Sequence, residues 1–199
     1  KKSFYVSFDN TFNGLACIIM SRKEIIVNKD KLFSSLVDSL PFVLVNRKTF
    51  NFLFKSSNGS TKFCIPKYAS YFLCYLVLHE LGHYFYTVPP VKAIKYYEDF
   101  CNSNHIPLEF CKFVINVVED SFIQRKFQLD NPLQVYRDYF FLGTSIIQGP
   151  LACISWEELL HNVESTNGVM NIYNKLFYFV LRAYNIHNQD IQNVYYKSP

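Results

Sequence analysis

Five consecutive residues, His79-Glu80-Leu81-Gly82-His83, carry the types and spacing that could do chemistry. Histidines four apart on a helix lie one above the other on a single face, where two imidazoles can hold one metal ion. Glu80 is turned only about 100° from His79 around such a helix. Its carboxylate can therefore reach a water on that metal without being a ligand. H-E-x-x-H so placed suits metal-assisted peptide hydrolysis: a zinc ion lowers the pKa of a bound water, and the glutamate takes its proton. The bland alternative is a helix with two ordinary histidines. Context weighs against it, because the chain has only five histidines and two of them stand here. They follow the run Tyr71–Leu78 (YFLCYLVL), too apolar for a surface helix, where unpaired polar groups are costly.

A catalytic zinc takes three protein ligands and keeps one position open. The best further source is Asn116-Val117-Val118-Glu119-Asp120, within a stretch otherwise dominated by Phe, Val and Ile. Adjacent acids in an apolar helix are expensive to bury without a cation. Asn116, Glu119, Asp120 and Ile123 share one helical face by their spacing. The expectation is Glu119 as third ligand, with Asp120 or Asn116 hydrogen-bonding a ligand imidazole. The reverse order, Asp120 as ligand, stays open, and the bland reading is a solvated acidic pair. His105, His161 and His187 are isolated in polar surroundings and read as surface residues. Tyr84, Tyr86, Tyr136 and Tyr139 are candidates to donate to an oxyanion, with packing as the ordinary alternative.

The elements that must position these residues follow from periodicity. Residues 4–8 (FYVSF) alternate weakly and read as either a strand or a leading segment. Leu15–Met20 and Glu24–Val27 read as strands joined by the turn Ser21-Arg22-Lys23. Asp30–Leu40 has helical spacing and is followed by Pro41, while Phe42–Val45 is ambiguous. Thr49–Lys55 and Thr61–Ile65 flank Asn58-Gly59, a hairpin signal. The first part, 1–65, is thus expected to form a small, mostly antiparallel sheet with one helix. Helices are expected at 67–87, stopped by Pro89-Pro90, then at Val91–Ser103, Pro107–Gln128 and Asn131–Gly143. Ser155-Trp156-Glu157-Glu158 reads as a capping box opening another helix; Asn167-Gly168 breaks it, Val169–Ile186 forms the last, and 188–199 frays.

The expected organisation is one α+β domain over 1–199, with 66–130 carrying the zinc-binding helices and 131–199 a helical part. Its 199 residues suffice for a real core, and half of them are hydrophobic, which argues against disorder. The net charge is +4, but Lys and Arg are scattered, so no nucleic-acid partner is expected. The six cysteines form no C-x-x-C pair and read as reduced thiols of an intracellular protein, although an even count also permits disulfides. The opening KKSFYVSFDN turns polar too soon for a signal peptide, and it lacks Met, as a processed or truncated chain would. The charge-free apolar run Tyr68–Leu78 is too short to span a bilayer, so no membrane partner is expected; a cytoplasmic or virion-associated location follows.

H-E-x-x-H followed by a second helix carrying a ligand Glu resembles the gluzincin branch of the zincin metallopeptidases. More narrowly, Asn116 to Gln124 (NVVEDSFIQ) is similar to the N-x-x-E-D-x-R-I-E pattern of bacterial and phage metallopeptidases encoded beside von Willebrand factor A-type domains. The chain departs from that pattern at Phe122 (Arg there) and Gln124 (Glu there). The thermolysin-type Asp four residues after the ligand Glu is missing as well, since Ile123 stands there. The resemblance covers the two helices, about a quarter of the chain. It implies a zincin fold, the sheet packed on the central motif helix and an edge strand, Thr61–Ile65 or Thr49–Lys55, pairing with an extended peptide. It also implies a zinc endopeptidase acting on a protein or peptide, with Zn²⁺ on His79, His83 and Glu119 and with Glu80 as general base. The rival expectation is a non-catalytic zincin-like structural or assembly protein, such as a virion component, with zinc as a staple or no metal at all.

Overall fold

The computed structural model describes residues 3–57, 60–87 and 90–152, and the expected capping box at 155 and helix 169–186 lie outside them. The first sheet has three strands, β1 (Tyr5–Phe8), β2 (Ala16–Ile19) and β3 (Glu24–Val27), in the order β1-β3-β2. β2 and β3 pair antiparallel through the tight turn expected at 21–23, whereas β1 runs parallel to β3. The order arises because the segment after β1 must carry the chain past β3 before β2 begins. Asn28 holds that segment: its Nδ2 donates to the carbonyls of Phe12 (2.6 Å) and Asn10 (3.3 Å). Its Oδ1 meanwhile accepts from Lys31 N at 2.9 Å and so caps the following helix. Ile25 and Val27 of β3 are wholly buried, as the central strand of a one-sided sheet requires.

That helix, α1, spans Lys29–Val45 and runs straight through Pro41, where the sequence predicts a stop. Proline removes one helical donor and crowds the carbonyl four residues back. Here that carbonyl belongs to Val37, and both Val37 and Pro41 face outward, so it can turn to solvent. Val43, wholly buried beyond the proline, and Phe42, packed edge-on against Phe50, hold the last turns to the core. The strand expected at Thr49–Lys55 is instead a 3-10 turn, Asn51–Leu53, leading into β4 (Phe54–Ser57). Phe50 and Leu53 are both buried, and only a helical turn puts residues three apart on one side. β4 and β5 (Ser60–Phe63) form an antiparallel hairpin, so the expected single sheet is two separate ones.

Among the described residues four further helices follow: α2 (Ile65–Tyr86), α3 (Pro90–Ser103), α4 (Leu108–Asp130) and α5 (Gln134–Ala152). α2 carries the histidines and is central, packing on β2, α1, α4 and α5. Its near-uniform apolarity is explained by these neighbours on several sides. The Tyr68 hydroxyl locks it to α1, lying 2.7 Å from Ser39 Oγ and donating to the Leu36 carbonyl at 3.1 Å. Tyr68, Phe72, Tyr75 and Leu76 join Phe127 of α4 and Phe140, Leu142 and Ile146 of α5 in one core with β3. α5 runs past Gly143, where the sequence predicts an end. Gly143 marks a close crossing: a Cβ there would stand 1.9 Å from Tyr75 Cγ. The fold of the described residues is mixed α+β.

Candidate metal centre

α2 and α4 cross where Gly82 meets Ile123. A Cβ on Gly82 would lie 3.3 Å from Ile123 Cβ, so the glycine lets the α4 backbone come close. That approach brings the short side chain of Asp120 over the two histidines one turn away. Asp120 Oδ1 lies 3.2 Å from His83 Nε2 and 3.6 Å from His79 Nε2. One ligand atom from each of the three residues falls within 4.8 Å of the others, and no other such group occurs among the described residues. Oδ1 itself is shut off from solvent between the two ring nitrogens, with no hydrogen-bond partner of good geometry. A buried, unsatisfied anionic oxygen between two imidazole nitrogens is the donor set a divalent cation fits.

The sequence expectation of Glu119 as ligand is not the order the geometry favours. Glu119 reaches the other nitrogen of His83, with Oε2 3.9 Å from Nδ1, and is not in the three-residue group. The reason is helical phase. Asp120 stands one turn before Gln124, on the flank of α4 that faces His79. Glu119 stands one turn before Ile123, on the other flank. Asn116 reaches an acid and not an imidazole: its Nδ2 is 3.4 Å from Asp120 Oδ2. His105 is exposed in the turn after α3 with φ 54°, apart from the group. His161 and His187 lie outside the described residues.

Each histidine is held from behind. His83 Nδ1 is 3.1 Å from Thr87 Oγ1, one turn further along α2, which leaves Nε2 toward Asp120. His79 Nδ1 is 3.5 Å from Gln124 Nε2, and the His79 ring packs against Tyr75 at 5.8 Å between centroids. Sequence reasoning missed Thr87 and Gln124 as neighbours of the imidazoles. Thr87 lies four residues after His83, and Gln124 four after Asp120, so helical spacing carried that signal. Among the tyrosines proposed as oxyanion donors, Tyr86 donates its hydroxyl to Asp130 Oδ2 at 2.9 Å, and Tyr84 packs on Phe4. Tyr136 and Tyr139 pack against each other, and Tyr139 against Tyr71.

Glu80 is 8 % exposed, in the seam between α2 and β2, and its carboxylate accepts from the backbone N–H of Ile18. β2 packs on α2 and, among the described residues, is one of the two outer strands of its sheet, so the strand beside the motif is β2 and not Thr61–Ile65 or Thr49–Lys55. Burial pushes the Glu80 pKa up to about 7; the nearby Asp120 charge adds to this, and His83 and the Ile18 amide oppose it. Burial drives His79 down to about 4 despite the attraction of Asp120. His79 is therefore neutral at neutral pH, and its approach to Asp120 is not an ion pair there. Burial also pulls His83 down, but Asp120, Glu80 and Glu119 outweigh it and leave His83 raised. The site thus pairs a neutral imidazole with a carboxylate poised to exchange a proton near pH 7.

The chain matches no protein-family model, no curated protein and no solved structure. Among the described residues no helix is long and apolar enough to cross a membrane.

Proposed function

We propose that this chain is a zinc-dependent endopeptidase of zincin-like design, with His79, His83 and Asp120 as the metal ligands and Glu80 as general base. The observation that carries the reading is the convergence of His79 Nε2, His83 Nε2 and Asp120 Oδ1 from two helices, with Glu80 buried on the same helix as the histidines and feeling the charges of His83 and Asp120. Three ligands leave a tetrahedral ion one open position. When bound there, zinc supplies a water of lowered pKa and polarises the scissile carbonyl. Glu80 would be the group to take a proton from that water and return it to the leaving amine, being buried on the same helix as the two histidines. β2, an outer strand among the described residues, is the edge beside Glu80 along which an extended peptide would lie. Glu119 and Thr87 orient His83 from its Nδ1 side.

Metal analysis of purified wild type and His83→Ala tests the site, together with cleavage of casein and of a quenched fluorescent peptide library. The expected result is about one zinc per chain in wild type and a loss of about one in the variant. Cleavage should be sensitive to chelation. Equal zinc in both proteins would overturn the site. Stoichiometric zinc without cleavage of any peptide would leave the metal as a structural staple and overturn the peptidase.

A further inference from the structure

His79 as a metal ligand sets a demand that its own position cannot meet. To bind through Nε2 the imidazole must carry its proton on Nδ1, and a buried N–H needs an acceptor. The group facing His79 Nδ1 is the amide of Gln124, 5 % exposed. Its Nε2 stands 3.2 Å from the Tyr75 hydroxyl and 3.5 Å from His79 Nδ1, while its Oε1 accepts from Thr144 Oγ1 at 3.2 Å. So oriented, the amide donates to His79 Nδ1 and favours the tautomer whose proton lies on Nε2, toward Asp120. That tautomer blocks the metal.

The two ends of an amide are nearly equal in size, so a half turn about its last bond keeps the packing. It also exchanges the hydrogen bonds consistently. Oε1 then accepts from both His79 Nδ1–H and the Tyr75 hydroxyl, and Nε2 donates to Thr144 Oγ1. Every buried polar atom of the group keeps a partner in both orientations, because Tyr75 and Thr144 carry hydroxyls that donate or accept. We infer that Gln124 is a positioning residue whose amide turns over when the metal binds, selecting the His79 tautomer that presents Nε2 to the ion. The inference rests on the zinc reading above and adds to it a residue outside the ligand set. A leucine or methionine in this place would fill the same space, so packing alone does not call for a glutamine, three of whose four hydrogen-bonding directions are used.

The experiment measures zinc affinity by competition with a chromophoric chelator for wild type, Gln124→Met and Gln124→Glu. It adds ¹⁵N imidazole spectra of wild type with and without zinc. Gln124→Met removes the acceptor at similar volume and should weaken zinc binding about 10–100-fold. Gln124→Glu restores an acceptor and should stay within about tenfold of wild type. In the spectra the His79 proton should lie on Nε2 after chelation and on Nδ1 once zinc is added. Unchanged affinity in Gln124→Met would overturn the inference while leaving the metal site intact. So would a zinc-loaded His79 bound through Nδ1, a readout that holds even if the variants do not fold. Wild type that binds no zinc would overturn the site itself, and the inference with it.

Discussion

If the proposed function holds, replacing Glu80 with glutamine should raise the stability of the metal-free protein while abolishing peptide hydrolysis. The carboxyl is buried against β2, and its pKa rises from 4.5 to about 7. At about 1.4 kcal/mol per pH unit, this penalises the charged form by about 3 kcal/mol. The sign follows from proton binding. Between pH 4.5 and 7 the folded chain holds a proton at Glu80 that the unfolded chain has lost, so stability falls as pH rises through this window. His79 acts in the opposite sense. With its pKa depressed from 6.5 to about 4, its contribution to stability is lost as pH falls through that window. Wild type should therefore show a nearly flat profile from this pair between pH 4.5 and 6.5, and the difference between variant and wild type isolates Glu80. Urea unfolding of both proteins in excess chelator, from pH 4.5 to 8, measures that difference. It should be near zero at pH 4.5 and approach about 3 kcal/mol in favour of Glu80→Gln at pH 8. The glutamine oxygen can still accept from the Ile18 amide, so the gain is not offset by a lost hydrogen bond. A difference below about 1 kcal/mol at pH 8, or one independent of pH, would refute the claim that Glu80 is held at the cost of burial. With zinc restored, kcat/KM of the variant should fall by at least about 10²-fold.

Asp120→Ala should abolish tight zinc binding, whereas Glu119→Ala should weaken it about 10-fold, by chelator competition; equal losses would make both acids ligands or neither. Chelation should lower the melting temperature of wild type, since a ligand at about 1,000 times its Kd stabilises by about 4 kcal/mol; a thermal scan with and without chelator reads this, and Asp120→Ala should not respond. Gly143→Ala should destabilise by about 1–3 kcal/mol or more through overpacking, because the added methyl meets the Tyr75 ring, a shift visible in urea unfolding. The same substitution should weaken zinc binding through Tyr75 and Gln124, which a substitution remote from the site would not do.

Local pattern determined more of this protein than its size would suggest. The four-residue spacing of His79 and His83, the apolarity of α2, the turn at 21–23 and the hairpin around Asn58-Gly59 are all written in nearest neighbours along the chain. Each depends on backbone geometry that repeats within a few residues. What the sequence left open depends on distances between elements. The parallel pairing of β1, the passage of α1 through Pro41 and the continuation of α5 past Gly143 were settled by burial against neighbours remote in sequence. The placing of Glu119 and Asp120 relative to the histidines was of this kind too. Both acids lie on one helix, and their relation to the histidines was fixed only when Gly82 let α4 approach α2 at Ile123. That crossing set the phase of α4, and the phase turned Asp120 and Gln124 toward His79 and His83. Spacing along a helix shows which side chains share a face, but only packing decides what that face meets.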